Sequence, residues 1–254
     1  MNTFILKIFR GTPGNQYWEE FILEKQPGLN VIACLMEIQK NPVNREKKRV
    51  APVVWEQGCL EEVCGSCSML INGFPRQACT ALIENLLKAT NGNEITLAPF
   101  SKFPLVRDLI VDRSIMFDNL KKAHAWVDVD GPFDLGPGPK ISPEKQEVMY
   151  SISKCMTCGC CVEACPQSYQ GSKFVGPFIF AQVRFFNDNP TGKMKQDVRL
   201  NAMMEEGGVT GCGKAQNCQK VCPKEVPLVE SIAALGRDVS VQAVKNLFSL
   251  PDRD

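Results

Sequence analysis

Eleven of the thirteen cysteines fall into three spaced groups, and those spacings constrain the fold more than any other feature of the chain. The first group is Cys59, Cys64, Cys67 and Cys79, or C-x4-C-x2-C-x11-C. The second is Cys155, Cys158, Cys161 and Cys165 before Pro166, or C-x2-C-x2-C-x3-C-P. The third is Cys212, Cys218 and Cys222 before Pro223, or C-x5-C-x3-C-P. Thiolates at these spacings hold iron–sulfur clusters, and the chain must fold so that loops wrap each set. Structural zinc is the competing reading, but zinc ribbons use two C-x2-C pairs some 15–20 residues apart, which the first group lacks.

The opening C-x4-C-x2-C is the plant-type [2Fe–2S] spacing, which assigns Cys59, Cys64, Cys67 and Cys79 to one [2Fe–2S] cluster. Gly58, Gly65 and Ser66 let the backbone curl so that N–H groups face sulfur. The second group is the run of bacterial ferredoxins, whose fourth cysteine ligates the other cluster. Applied to this chain, Cys155, Cys158, Cys161 and Cys222 hold a [4Fe–4S] cluster, and Cys165 crosses over to join Cys212 and Cys218. The proline after each crossing cysteine fits the start of a helix.

The third group is a degenerate copy of the second. A full run from Cys212 places a cysteine at 215, where the chain has Ala215. Three thiolates then face a cluster that lacks one iron, a [3Fe–4S] centre on Cys165, Cys212 and Cys218. Its low charge and apolar neighbour favour a high potential, suited to the last step before an acceptor. The alternative is a [4Fe–4S] cluster with water or another ligand on the odd iron. Cys34 and Cys160 are left over: Cys34 reads as a small core residue of a helix, and Cys160 breaks the spacing if chosen as a ligand. Three clusters in one chain make a conductor of single electrons.

Local patterns predict an α+β fold. Residues 3–10 and 18–24 flank the turn Gly11–Asn15 as a hairpin. Val31, Leu35 and Ile38 predict a helix over 31–40, ended by Asn41-Pro42. Residues 68–71 and 95–98 read as strands, completing a small β-grasp pattern. Apolar residues at 106, 109, 110, 115, 116 and 120 read as a helix, and Asp134–Pro139 as a linker. Helical patterns follow at about 143–153, 162–169, 176–187, 198–206 and 226–248. The expected organisation is a [2Fe–2S] β-grasp domain over 1–104, a connector over 105–142, and an α-helical domain resembling bacterial ferredoxins over 143–254.

Twenty-nine basic against 28 acidic residues leave a net charge of +1, which points away from nucleic acid. Thirteen cysteines without a signal-peptide pattern point to a reducing compartment. No apolar run approaches the roughly 20 residues of a membrane span. The single histidine, His124, cannot supply a bis-histidine haem site and reads as a surface or packing residue. No dinucleotide fingerprint or catalytic triad is present, so bond-making chemistry belongs to a partner.

These residues together resemble the iron–sulfur subunit of succinate dehydrogenase and fumarate reductase. The resemblance rests on the loop Cys59–Cys67 with its Cys-Gly-Ser-Cys end, Ile71-Asn72-Gly73, Arg107-Asp108-Leu109 with Val111-Asp112, and all three spacings in order. It is nearest the branch with a single dihaem cytochrome b anchor, judged by Asn41-Pro42-Val43-Asn44 and Asp134–Pro139. It implies a flavoprotein partner with covalent FAD that oxidises succinate, electron passage through the three clusters, and delivery to quinone or haem in the anchor. It implies a peripheral position on the cytoplasmic face of the cell membrane. The same wire serves fumarate reduction in reverse. Many members carry a Trp five residues after the crossing cysteine and a His after the first cysteine of the third group, both near quinone. Gln170 and Gly213 stand there instead, so quinone, with menaquinone the expected type, should bind mainly in the anchor. A diffusible multi-cluster ferredoxin would be more acidic, and the small subunit of a molybdenum hydroxylase would carry a second [2Fe–2S] centre.

Overall fold

A run rich in β-branched and aromatic residues builds the first strand of the N-terminal half, and burial alternates along it. The computed structural model describes residues 2–127 and 140–248. Strand β1 (Thr3–Thr12) buries Phe4, Leu6, Ile8 and Arg10 on one face, and pairs antiparallel with β2 (Asn15–Glu24). Helix α1 (Val31–Lys40) starts at Asn30, whose side chain accepts the Ala33 N–H at 2.8 Å and so supplies one missing first-turn partner. Its buried residues Val31, Leu35 and Ile38 join β1 in the core. Burying each such side chain contributes about 1.5–3 kcal/mol.

After the cysteine loop come β3 (Ser68–Ile71), β4 (Phe74–Gln77), α2 (Ile83–Thr90) and β5 (Glu94–Ala98). The sheet order is β2-β1-β5-β3-β4, with β1 and β5 parallel and the other pairs antiparallel. Pro75 lies in β4, an edge strand, where a missing N–H costs no ladder bond. This is the mixed sheet crossed by a helix that the sequence predicts.

The chain divides into two units: Met1–Arg113 with Met156–Glu163, and Ser114–Cys155 with Ala164–Asp254. In the first, the stretch expected to be helical from 106 is a small hairpin, β6 (Leu105–Arg107) and β7 (Ile110–Val111). The reason is Asp108, at φ 47° between the two strands. Its carboxylate accepts the Gly11 N–H at 2.8 Å and the Val54 N–H at 2.9 Å, and pairs with buried Arg10 at 3.2 Å. Arg10 also binds Glu19 at 2.5 Å and the carbonyls of Ala51 and Pro52. A helix over 106–111 would forfeit this network.

The first unit also holds α5 (Cys160–Glu163), much shorter than the helix expected over 162–169. Glu163 is buried and accepts the Ser101 N–H at 3.0 Å, the Ser101 hydroxyl at 2.6 Å and the Lys102 N–H at 3.0 Å. It anchors the 156–163 segment on the loop after β5.

The second unit contains α3 (Ser114–Lys122), α4 (Pro143–Ser153), α6 (Pro177–Asp188), α7 (Gln196–Ala202), α8 (Asn217–Lys220) and α9 (Leu228–Phe248). Ser142 caps α4 and Pro143 occupies its first turn, so that helix matches the predicted span. Helices α6 and α9 pack against each other. Buried Arg199 on α7 donates to the carbonyls of His124, Trp126 and Gly192 and to Asn187 Oδ1, at 2.8–3.0 Å. Pro166 and Pro223 open turns, not the helix starts their positions predict. The predicted linker Asp134–Pro139 lies outside the described residues.

Candidate iron–sulfur cluster sites

In the first unit, the loop before β3 directs several backbone N–H groups at cysteine sulfur. Leu60 and Glu62 both have positive φ, 62° and 57°. Such conformations are costly for residues with a Cβ and turn successive N–H groups into one concavity. The concavity is filled by Cys59 Sγ, which receives the N–H groups of Glu61, Val63 and Cys64 at 3.4, 3.2 and 3.3 Å. Cys59 in turn donates its N–H to Cys64 Sγ at 3.4 Å. That bond, with help from the Ser66 hydroxyl and N–H, brings the Cys64 thiol down to about 6. Gly58 leaves room for it, since a Cβ at 58 would stand 3.0 Å from Cys64 Sγ.

Cys67 and Cys79 are the buried half of the group. Burial pushes the Cys67 thiol up to about 12, and a backbone bond to Cys79 opposes that. Metal binding there requires the Cys67 thiol to give up its proton. N–H groups aimed at the sulfurs of Cys59 and Cys64 suit ligands that carry negative charge. Among the described residues, no three His, Cys, Asp or Glu side chains close on a point fit for a single metal ion.

Gly65 brings Cys158 of the second group against this loop. Its φ is +75°, and a Cβ there would stand 2.8 Å from Cys158 Cβ and 3.0 Å from Cys158 Cα. Arg113 donates to the carbonyls of Gly65 at 3.0 Å and Ser66 at 2.8 Å, and pairs with Glu56 at 3.1 Å. A hydrogen bond with Cys160 is the main influence lowering the Cys158 thiol to about 7, with the Arg113 charge assisting. The Cys160 thiol is driven upward by Cys158 and by burial, so it remains a protonated, fully buried thiol. Cys34 is likewise fully enclosed within α1 and its thiol is pushed up to about 12 by burial. Of the four cysteines assigned to the [4Fe–4S] cluster, Cys158 and Cys161 lie in the first unit and Cys155 and Cys222 in the second.

The second unit contains a cavity of about 780 Å³ that gathers Cys165, Cys212 and Cys218 with Ala215 on its wall. Burial is the main cause raising the Cys218 thiol to about 11, followed by the charges of Cys165 and Cys212. The three cysteines of the sequence assignment thus share one chamber with the residue that replaces a fourth. Lys214 and Gln216, at φ 56° and 61°, bracket Ala215. The remaining wall comes partly from α9, through Val229, Ile232 and Ala233. Gly213 also lines the cavity, and a Cβ there would meet Gln167 Nε2 at 2.5 Å. Gln170 is exposed.

Gln77, Ser68 and Arg113 were not identified from the sequence as parts of these sites. No motif marks them, because their role comes from strand register and long-range packing.

Comparison with known proteins bears on the family and the fold. A family model described as a 2Fe-2S iron-sulfur cluster binding domain matches residues 5–118, and one described as a 4Fe-4S dicluster domain matches residues 151–226. The succinate dehydrogenase iron-sulfur subunit of Bacillus subtilis is 54% identical over 91% of this chain and 90% of its own. The fumarate reductase iron-sulfur subunit of Wolinella succinogenes is 27% identical over 91% of this chain and 95% of its own. Among solved structures, a chain of the Mycobacterium smegmatis Sdh1 complex superposes with a TM-score of 0.73, covering 94% of this chain and 96% of that one at 24% identity, which supports the fold. On the 54% identity across nine-tenths of its length, the chain belongs to the family of succinate dehydrogenase and fumarate reductase iron–sulfur subunits.

Proposed function

We propose that this chain conducts single electrons between a flavoprotein and a membrane anchor in a succinate:quinone oxidoreductase. The observation that carries the reading is the pair of sulfur-binding settings, one per unit. The first is the loop of inward N–H groups around Cys59. The second is the chamber that joins Cys165, Cys212 and Cys218 beside Ala215.

When bound, each cluster supplies reversible one-electron chemistry. Cys59, Cys64, Cys67 and Cys79 would hold the [2Fe–2S] cluster. Cys155, Cys158, Cys161 and Cys222 would hold the [4Fe–4S] cluster, and Cys165, Cys212 and Cys218 the [3Fe–4S] cluster. The protein's part is to exclude water, fix the thiolates and set local charge. The Cys59 loop offers N–H groups that favour added negative charge. The Ala215 wall withholds a thiolate from the third centre.

The dicarboxylate chemistry sits on the flavoprotein, with covalent FAD. The anchor is a cytochrome b, and the chain lies peripherally on the cytoplasmic face of the membrane. No helix among the described residues is long and apolar enough to cross a membrane, so this reading assigns attachment to the anchor. Quinone, of the menaquinone type, binds mainly in the anchor. Gly213 offers the chamber no side chain, and Gln170 is absent from its wall. Succinate oxidation is the favoured direction because the 54% relative is a succinate dehydrogenase subunit. Fumarate reduction is the second reading, favoured by the 27% relative.

Isolation of the native complex from membranes tests the proposal. The chain should copurify with a flavoprotein and a haem-bearing membrane protein, and succinate should reduce its clusters. Recovery as a free chain that succinate cannot reduce would reject it. Rates in both directions decide between the two enzymes, and unchanged quinone affinity in Gln170→Ala is expected.

A further inference from the structure

Gln77, at the end of β4, is fully buried two residues before Cys79. A buried amide is costly unless both its ends find partners. Its Nε2 donates to Ser68 Oγ at 2.7 Å and lies 3.6 Å from Cys160 Sγ. Ser68, itself buried, donates its hydroxyl to the Gly65 carbonyl at 2.6 Å. A serine hydroxyl has one proton, and here it is committed to Gly65. Turning the amide over would set its oxygen against Ser68 Oγ and require that hydroxyl to release Gly65.

The relay from Gly65 through Ser68 therefore aims Gln77 Oε1 at Cys67 Sγ, 3.5 Å away. As a thiol, Cys67 donates to that oxygen. Metal binding requires the thiolate, and the negative end of an amide dipole then faces a sulfur that gains further negative charge on reduction. The effect opposes that of the N–H groups at Cys59 Sγ, which favour reduction. Cys67 and Cys59 thus receive dipoles of opposite sign.

We propose that Gln77 sets the reduction potential of the [2Fe–2S] centre from below, its carbonyl held against Cys67 by the Gly65–Ser68 relay. The inference rests on Cys67 being a ligand of that centre. An electron placed there is held less tightly and is released more readily. The other end of the same amide touches Cys160, between Cys158 and Cys161. The entry centre and the next cysteine group are thereby linked by one buried side chain.

The test is an EPR-monitored redox titration of the isolated complex carrying Gln77→Leu, which keeps the bulk and removes the amide. The one-electron reduction constant of the [2Fe–2S] centre should rise about tenfold, or ~59 mV, with signal shape and spin count unchanged. Ser68→Ala, which unlocks the amide, should move the potential in the same direction by less. An unmoved or lowered potential in Gln77→Leu with the signal intact overturns the proposal. If Gln77→Leu does not assemble, an unmoved potential in Ser68→Ala overturns it. Absence of a [2Fe–2S] signal from the parent complex rejects the ligand reading itself, and this inference with it.

Discussion

Gly65 and Gly73 share the same backbone torsion, φ +75°, and differ in surroundings, which makes them a matched pair. A Cβ at Gly73 meets nothing within 4 Å, so Gly73→Ala bears only the strain of the left-handed region, about 1–2 kcal/mol. A Cβ at Gly65 bears the same strain and also meets Cys158 Cβ at 2.8 Å, Cys158 Cα at 3.0 Å and the Met156 carbonyl at 3.1 Å. None of these is the tip of a flexible side chain, so backbone must shift. Overpacking of this kind adds about 1–3 kcal/mol. Gly65→Ala should therefore lose stability beyond Gly73→Ala by that increment, roughly 2–12 °C in transition temperature for a protein of this size. The assay is heat bleaching of the [2Fe–2S] visible circular dichroism at one fixed scan rate, because this signal reports the first unit alone. Equal losses in the two variants would refute the close approach of the Cys59–Cys67 loop to Cys158.

Glu163→Ala removes three acceptor bonds to Ser101 and Lys102. Hydrogen bonds to a charged group contribute roughly 1.5–3 kcal/mol each, so urea bleaching of the first unit should shift markedly lower, with Glu163→Gln intermediate. In the cluster-free chain, the Cys64 thiol has a folded value of about 6 and an ordinary value of 9.0. Its thiolate is thus present above pH 6 and lost as pH falls through that value, while Cys67, at about 12, stays protonated. Alkylation mapped by mass spectrometry should mark Cys64 first, with a rate that rises through pH 6. Ala215→Cys adds a thiol to the chamber wall and should convert the third centre to a [4Fe–4S] cluster, seen as loss of the EPR signal of the oxidised enzyme.

Elements governed by local chemistry were legible in the sequence. The β1–β2 hairpin follows from its β-branched and aromatic residues and its turn, α1 from Val31, Leu35 and Ile38, and α4 from its span of helical residues. The strand β4 and helix α2 were missed; β4 contains a proline that reads as a breaker until its edge position is known. The 105–111 segment carried helical spacing, yet Asp108 is claimed by Arg10, Gly11 and Val54, partners about 50 to 100 residues away. The helix expected at 162–169 stops at Glu163, and Cys165 lies just beyond it, outside any helix, lining the chamber. Cysteine spacing predicted that Cys165, Cys212 and Cys218 belong together, and one chamber holds them. It could not reveal Gln77, whose meaning depends on Ser68, its partner across the β3–β4 ladder.

The central claim is a wire of three centres whose cysteines divide as four, four and three, with Ala215 at the odd one. Mössbauer and EPR spectroscopy of the isolated complex, oxidised and then reduced with succinate, test it most directly. A three-iron signal is expected in the oxidised state, with a [2Fe–2S] signal on reduction and a separate [4Fe–4S] component. A fully occupied four-iron centre beside Ala215, or zinc in place of iron on Cys59, Cys64, Cys67 and Cys79, would contradict it.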